Sequence, residues 1–188
     1  RDKAELNLYK AQIKPHFMFN TLNSLYGLFL TGNSGALESL EKFISMMRYI
    51  HTTSSRDMVS LSDEAAYIRQ YVDLQSLRLN GMTEVSLDID APDGSVTVPP
   101  MLLVTFVENC FKHGVSPVEK SRISISLHVR DRRLTFETAN RIFPVRKIGE
   151  HMGIGNCRRR LELLYPGRHE LTVTDDGKNF NVKLRIDL

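Results

Sequence analysis

The spacing of apolar residues changes once along this chain, from a helical period to a strand period, and the change falls near Gly81. Before that point apolar side chains recur every three to four residues, which predicts amphipathic helices. Beyond it apolar and polar residues alternate, as over 85–89, which predicts half-buried strands. The sequence therefore predicts a helical region over 1–80 and an α+β domain over 81–188, in which helices cover one face of a largely antiparallel sheet.

The helical region contains three predicted helices. Two offset apolar stripes mark the first helix, Leu6, Tyr9, Ile13 and Phe17 in one stripe and Phe19, Leu22, Tyr26 and Phe29 in the other. Pro15 lies where the stripes meet and predicts a kink, because its ring clashes with the carbonyl four residues back. Segment 31–35 contains two glycines and ends this helix. Ser62 is the predicted N-cap of the third helix, and the acidic residues Asp63 and Glu64 suit its first turn.

The α+β region contains two predicted helices between pairs of strands. Residues 101–112 are apolar on several faces, which predicts a buried helix after two prolines. A second helix is predicted over 152–165, with the arginine run 158–160 read as a solvated face. Predicted hairpins turn at 131–133 and at 176–177.

Composition excludes several classes of protein. The 188 residues carry a net charge of +3 without a basic stripe, which disfavours nucleic acid as a partner. No apolar run approaches the roughly 18 residues that span a bilayer. The two cysteines form no C-x-x-C pair, which favours a reducing compartment. Because the chain starts at Arg1 and not at Met, we expect it to be part of a longer protein.

The first group of candidate catalytic residues surrounds His16, within segment 12–20. Neutral imidazole is a competent nucleophile near neutral pH, and Asn20 and Asn23 follow at helical spacing. A structural histidine that forms a hydrogen bond near the kink explains the same residues. The residues alone leave both readings open.

The second group ends the predicted buried helix with polar side chains, over 108–114. Glu108 and Lys112 share a face at four-residue spacing, and Asn109 lies beside them. An acid, an amide oxygen and an ammonium suit hydrated Mg²⁺ bridged to phosphates. Helix-end chemistry explains Lys112 and Gly114, but it does not explain an acid and an amide on a buried helix.

The third group is the glycine pair Gly153 and Gly155, with Ile154 between them, at the start of a predicted helix. Glycines at a helix entrance let phosphate approach backbone N–H groups. A tight loop before a helix explains the same residues, so this motif is weak by itself.

Taken in order, the three groups resemble the LytS/YehU-type sensor histidine kinases of bacterial two-component systems. Segment 12–20 is similar to the phosphoacceptor motif Q-x-x-P-H-F-x-F-N of that family, and 108–114 is similar to its N box. Segment 153–167 resembles its G2 region and the helix that follows. The resemblance covers essentially the whole chain.

The resemblance implies a fold, an activity and partners. The implied fold is a helical phosphoacceptor and dimerisation hairpin followed by a Bergerat-type (GHKL) ATP-binding α/β sandwich. The implied activity is ATP-dependent phosphorylation of a histidine, followed by transfer to an aspartate of a response regulator, expected to be of the LytTR type. The family further implies a homodimer, and a cytoplasmic location in a bacterial inner-membrane sensor whose membrane segment lies outside this chain.

The resemblance also assigns roles by position. His16 would be the phosphoacceptor, and Glu108 would polarise the attacking group or orient a metal-bound water. The residues implied in binding ATP are Asn109, Lys112, Asn140, Gly153, Ile154 and Gly155, with Asn109 as a ligand of Mg²⁺. His113 matches the motif without an assigned role.

Some positions depart from the family pattern. The aspartate that binds the adenine amino group aligns with Ala139, and Glu137 and Asn140 are the candidate replacements. Loss of a hydrogen bond to a charged group costs about 1.5–3 kcal/mol, or about ten- to hundredfold in affinity. His151 stands where the G2 region begins with glycine. Stretch 141–150 is short for an ATP lid, and no acidic residue follows His16 as its general base.

Two other functions fit parts of the pattern. A signalling scaffold of the same fold that binds ATP weakly or not at all is consistent with the departures. An ATP hydrolase of the same superfamily is consistent with the second and third groups, but it leaves the segment around His16 without a purpose.

Overall fold

The computed structural model describes residues 15–91, 95–144 and 152–188, and for Pro15, His16 and Met152 the backbone alone. Residues 6–13, predicted to open the first helix, lie outside these ranges. The helices are α1 (Pro15–Leu30), α2 (Ala36–Thr53), α3 (Leu61–Ser76), α4 (Val104–His113) and α5 (Met152–Leu164). The strands are β1 (Val59–Ser60), β2 (Thr83–Asp90), β3 (Thr97–Val98), β4 (Ser121–Arg130), β5 (Arg133–Arg141), β6 (His169–Asp175) and β7 (Asn179–Asp187).

Helices α1 and α2 form a hairpin around the predicted turn at 31–35. Gly32 adopts a φ of 65°, a conformation that glycine tolerates at no steric cost. Asn33 accepts the N–H of Gly35 at 2.8 Å, and no side chain caps α2. The described part of α1 begins at Pro15, where proline suits the first turn of a helix, so the predicted kink lies at the edge of the described residues.

The N-cap of α3 is Ser60, and the prediction of Ser62 was wrong by two residues. The Ser60 hydroxyl accepts the N–H of Asp63 at 3.0 Å, and Ser62 lies inside the first turn. Ser60 belongs to β1, which pairs antiparallel with β3 and fixes the start of α3. This short pair has no signal in the local pattern, because two residues do not establish a period.

Five strands form one sheet in the order β2-β4-β5-β7-β6. Strands β2 and β4 are parallel, and the remaining neighbours are antiparallel. One face carries buried apolar side chains such as Leu127, Phe136 and Leu184, and α4 packs on this face. The predicted α+β class with a mixed, largely antiparallel sheet is confirmed.

The opposite face of the sheet carries small polar and charged residues. Cross-strand ion pairs join Lys183 to Glu137 at 2.8 Å and Arg130 to Asp90 at 2.8 Å. Buried apolar side chains of the sheet, of α3 and of α4 form one continuous cluster. The division at residue 81 therefore stays a prediction. No helix within the described ranges is both long and apolar enough to cross a bilayer.

Candidate functional site

Helix α4 carries the second group of candidate residues along one edge. Its inner side includes Cys110 and Phe111, which are buried in the core. Its outer side carries Glu108 and Asn109, which are half-buried, and Lys112, which is exposed. The predicted start at residue 101 was wrong by three residues. The helix begins at Val104, because the residues before it form a turn. An apolar helix thus presents an acid, an amide and an ammonium to one side.

Glu108 faces helix α3. Burial raises the pKa of Tyr67 and Tyr71, and the negative charge of Glu108 raises the pKa of both further. An electrostatic effect on two tyrosines of α3 requires the Glu108 carboxylate to lie near that helix. The acid of the candidate site therefore stands at the junction of α3 and α4.

Three aromatic rings connect the first turn of α1 to α4. Phe17 stacks on Tyr71 with ring centroids 5.0 Å apart, and Tyr71 meets Phe111 edge-on at 6.0 Å. Both arrangements are favourable for aromatic pairs. His16 immediately precedes Phe17 in α1, so its backbone lies beside this aromatic contact. The first group is brought to the helix that carries the second.

The end of α4 packs directly against the end of β5. A Cβ on Gly114 would lie 2.6 Å from the carbonyl oxygen of Cys110 and 2.9 Å from the Cβ of Asn140. The Gly114 position therefore requires glycine. Asn140 is 3% exposed, and its amide nitrogen donates to the carbonyl oxygen of Arg141 at 2.9 Å. Its Oδ1 is buried and accepts no hydrogen bond from any described residue.

The strand register places Ala139 and the candidate replacement Asn140 on opposite faces of the sheet. Asn140 pairs with Ile123 and Phe180, both of which face the helices, whereas Ala139 pairs with Ser124 and Asn181. Because side chains alternate across a strand, Ala139 points to the open face of the sheet, away from α4. The side chain that β5 offers to the helix side at this point is Asn140.

The third group lies in the first turn of α5, which confirms the predicted helix over 152–165 to within one residue. Gly153, Ile154 and Gly155 are helical. A Cβ on Gly153 would lie 3.0 Å from the Cγ2 of Thr105, so this glycine lets α5 approach the start of α4. Gly155 is exposed with open space around it. The first-turn N–H groups of a helix lack partners within the helix and favour anions.

Helix α4 is the common neighbour of these groups. Gly153 packs near its beginning at Thr105, and Asn140 packs against its end at Gly114. Nine residues of α-helix separate these two contacts, or about 13 Å. Glu108 and Asn109 lie between them. The structure thus arranges the candidate binding residues along α4.

The chain beyond β5 is attached to α4 before the described segment ends. The N–H of Phe143 donates to the carbonyl oxygen of His113 at 2.8 Å, and Arg141 lies over the Phe143 ring at 4.9 Å. Arg141 also pairs with Glu119 at 2.7 Å. His113 thus contributes its backbone to this attachment. His151 and most of the stretch predicted as a lid lie outside the described residues.

Sequence reasoning missed a buried polar cluster at the start of α4. Glu64 was assigned only to the dipole of α3, but it is fully buried and accepts the Tyr49 hydroxyl at 2.6 Å. Arg160 was read as part of a solvated face, but it is 4% exposed, and burial lowers its pKa. Arg160 lies on the same helix face as the apolar residues Cys157, Leu161 and Leu164, and this shared face was the sequence signal for its burial.

Comparison with known proteins identifies the family. Residues 4–83 match the histidine kinase family. A sensor-like histidine kinase of Staphylococcus epidermidis is 34% identical over 132 residues, which cover 69% of this chain and 25% of that protein. The sensor histidine kinase/phosphatase LytS of Staphylococcus aureus is 30% identical over 111 residues, which cover 59% of this chain and 19% of LytS. The chain thus spans a quarter or less of these relatives.

Solved structures share the fold. The histidine kinase domain of the blue-light activated kinase EL346 of Erythrobacter litoralis aligns with a TM-score of 0.54 at 16% identity, over 98% of this chain and 91% of that domain. The catalytic domain of histidine kinase ThkA aligns with a TM-score of 0.53 at 12% identity, over 69% of this chain and 95% of that domain. The chain belongs to the histidine kinase family, in which it is similar to LytS-type sensor kinases.

Proposed function

We propose that this chain is the kinase core of a two-component sensor, which phosphorylates His16 with ATP and passes the phosphoryl group to an aspartate of a response regulator. The observation that carries the proposal is the arrangement along α4. This helix contacts the strand end at Asn140, the first turn of α5 and, through Tyr71, the turn of α1 that contains His16. These contacts support one site for a nucleotide beside the acceptor histidine.

The proposed nucleotide lies along α4. At one end, the buried Oδ1 of Asn140 is an acceptor without a partner among described residues, which suits the amino group of adenine. At the other end, the first-turn N–H groups at Gly153, Ile154 and Gly155 suit phosphates. The resemblance assigns Lys112 to the phosphates, but this residue lies two positions before Gly114, at the end of α4 that contacts Asn140. The separation of about 13 Å suits an extended ligand with a base at one end and phosphates at the other.

Asn109 is the proposed Mg²⁺ ligand. Within the described ranges no three His, Cys, Asp or Glu side chains are grouped as metal ligands. A single amide oxygen, that of Asn109, suits Mg²⁺ that arrives with the nucleotide, because such Mg²⁺ keeps several waters and takes one or two protein oxygens. When bound, the ion neutralises charge on the phosphates. The proposal predicts that Mg²⁺ with ATP raises the melting temperature of the wild type more than ATP with chelator does, and that Asn109→Leu removes the difference.

In the proposed transfer, a ring nitrogen of His16 forms a bond to the γ-phosphorus while the bond to the leaving oxygen of ADP breaks. Transfer of this kind depends chiefly on positioning and charge neutralisation. Glu108 is proposed to accept a proton or to orient the attacking imidazole, and its position at the junction of α3 and α4 supports this role. The phosphoryl group then moves from the histidine nitrogen to a carboxylate oxygen of the regulator.

The homodimer is proposed to form through α1 and α2. The second predicted stripe of α1 is exposed, with Phe19 at 66%, Tyr26 at 65% and Phe29 at 50%. The opposite side of α1 is buried at Thr21 and Leu25. An exposed apolar face of this kind marks an interaction surface, and a second copy of the hairpin presents a matching apolar face.

The remaining parts of the proposal rest on the relatives. Because these are sensor histidine kinases, we place this core in the cytoplasm of a bacterium, attached to a membrane sensor, with a LytTR-type regulator as its partner. The division into a phosphoacceptor region, 1–80, and an ATP-binding domain, 81–188, belongs to the same proposal.

Incubation with γ-labelled ATP and Mg²⁺ tests the activity. The wild type is expected to take up label that is stable in base and labile in acid, and His16→Gln is expected to take up none. His51→Gln is the matched control, because His51 is an exposed histidine of α2. If the wild type takes up no label at millimolar ATP while the full-length sensor still signals, the chain is a scaffold. Phosphate release that survives His16→Gln indicates an ATP hydrolase.

A further inference from the structure

Glu64 holds the turn that leads into α4. The carboxylate is fully buried, and it accepts the backbone N–H of Met101 at 3.0 Å and that of Leu103 at 3.3 Å. Leu103 is the N-cap residue of α4, and no side chain of α4 itself caps the helix. A carboxylate from another helix therefore satisfies backbone donors at the start of the helix that carries the candidate site.

The turn depends on this support. Met101 has a φ of 62°, in the left-handed region that L-residues other than glycine rarely adopt. Such a conformation persists where the surroundings over-determine it. Glu64 fixes the amide of Met101, and Arg160 donates to the carbonyl oxygen of Pro100 at 2.8 Å. The turn is thus held on both sides by buried charged groups.

The same carboxylate reaches the helical hairpin. The hydroxyl of Tyr49 in α2 donates to Glu64 Oε2, the oxygen that also accepts the N–H of Met101. Tyr49 packs against Tyr67 with ring centroids 5.0 Å apart. One carboxylate therefore joins α2, α3 and the entrance of α4. Through Pro100 the same turn is attached to Arg160, less than two turns after the first turn of α5.

We propose that Glu64 is a positioning residue, which couples the position of α2 to that of α4 and so to the nucleotide site. The inference rests on the proposed function, because its effect is exerted on that site. Movement of α2 displaces the Tyr49 hydroxyl from the oxygen that holds the Met101 amide. The entrance of α4 then shifts relative to α5, and with it Asn109 relative to Gly153.

Three variants of the 188-residue chain separate the steps of this coupling. Glu64→Gln keeps the shape but replaces one acceptor oxygen with a donor group. Tyr49→Phe removes only the bond to α2. Ser45→Ala is the matched control, because Ser45 accepts the side chain of Gln70 at 3.1 Å, a bond between α2 and α3 that does not reach α4.

Amide hydrogen exchange over 101–107, measured without nucleotide, tests whether Glu64 holds the turn before α4. We call the hydrogen bonds from Glu64 to the amides of Met101 and Leu103 the clamp. Exchange is expected to be at least about tenfold faster in Glu64→Gln, a change of 1.4 kcal/mol in local opening, and measurably faster in Tyr49→Phe. Ser45→Ala is expected to match the wild type. Unchanged exchange in both Tyr49→Phe and Glu64→Gln overturns the proposal. If Glu64→Gln does not fold, Tyr49→Phe alone decides the outcome.

Nucleotide binding and label uptake test the coupling. Glu64→Gln is expected to raise the Kd of a non-hydrolysable ATP analogue about tenfold. Tyr49→Phe is expected to change that Kd less than about twofold, and to slow His16 labelling at saturating ATP about fivefold. The double variant is expected to match Glu64→Gln, because both residues lie on one path.

Variants that shift only the urea midpoint show a merely structural role. A wild type that binds no nucleotide refutes the proposed function, while the exchange data still decide the clamp.

Discussion

The helical hairpin and the five-stranded sheet differ in the polarity of their outer surfaces. The outer face of α1 exposes large apolar side chains, among them Phe19, Tyr26 and Phe29. The open face of the sheet instead carries charges in cross-strand pairs, such as Lys183 with Glu137. Burial of apolar surface is the main driving force of folding and association, whereas solvent-exposed ion pairs contribute little. The hairpin surface is therefore suited to be covered by another protein surface, and the open sheet surface to remain in water.

The largest expected effect concerns the face of the sheet that is already covered. Phe136→Ala removes a fully buried ring that packs against Phe106 with centroids 6.1 Å apart. The free energy of unfolding is expected to fall by about 3–5 kcal/mol, as measured by urea denaturation. A loss of less than about 1 kcal/mol, typical of surface substitutions, contradicts the described packing.

The hairpin surface is expected to affect association and not folding. The double variant Tyr26→Gln and Phe29→Gln removes two exposed rings and keeps helix-forming side chains. The dimer dissociation constant is expected to rise about a hundredfold, measured by analytical ultracentrifugation.

The control for that variant is Glu41→Gln, an exposed position of α2 without an apolar side chain. Its association is expected to equal that of the wild type. If the double variant remains as dimeric as the control, the exposed stripe of α1 is not the dimer interface.

Substitutions at two neighbouring residues of β5 test the two faces of the sheet within one strand. Asn140→Ala removes the buried Oδ1 on the helix side, and ATP affinity is expected to fall about tenfold. Ala139→Ser changes the open face and is expected to leave affinity unchanged. Isothermal titration with ATP and GTP measures both, and loss of selectivity for ATP is expected only in Asn140→Ala. Equal losses in the two variants refute the adenine assignment.

The smallest expected effect concerns the open face of the sheet. Lys183→Gln breaks the ion pair with Glu137, in which both side chains are nearly half exposed. The free energy of unfolding is expected to change by less than about 1 kcal/mol. The change is expected to shrink further at high salt, because exposed charges are screened. A larger, salt-independent loss shows that this face is covered in the assembled protein.

Local patterns predicted most of the fold. The change of period at Gly81 separated a mainly helical region from one that combines five long strands with two helices, and alternation in β4, β5 and β7 identified the buried face. The N-cap of α3 was wrong by two residues, because Ser60 and Ser62 are chemically equivalent and only the chain path distinguishes them. The β1–β3 pair could not be predicted, because it depends on residues far apart in the sequence.

The candidate site was harder to predict than the fold. A shift of one residue exchanges the two faces of a strand, so an alignment with Ala139 and one with Asn140 predict opposite directions for the side chain, and only the strand register shows which residue faces the helices. The helix over 152–165 was predicted, but the packing of Gly153 against Thr105 of α4 was not, because it depends on a residue far away in the sequence. Glu64 and Arg160 were missed because burial of a polar residue depends on partners from other elements.

The parallel pairing of β2 with β4 has a consequence for how the chain folds. Two parallel neighbours cannot be joined by a tight turn, so the connection between β2 and β4 must return from one end of the sheet to the other. Helix α4 is the main element of that crossover. The edge strand can therefore pair only after a long loop has closed, which makes this a slow, non-local step. A deletion that shortens α4 would reduce the reach of the crossover and detach β2, and folding thus constrains how far the candidate site can be altered.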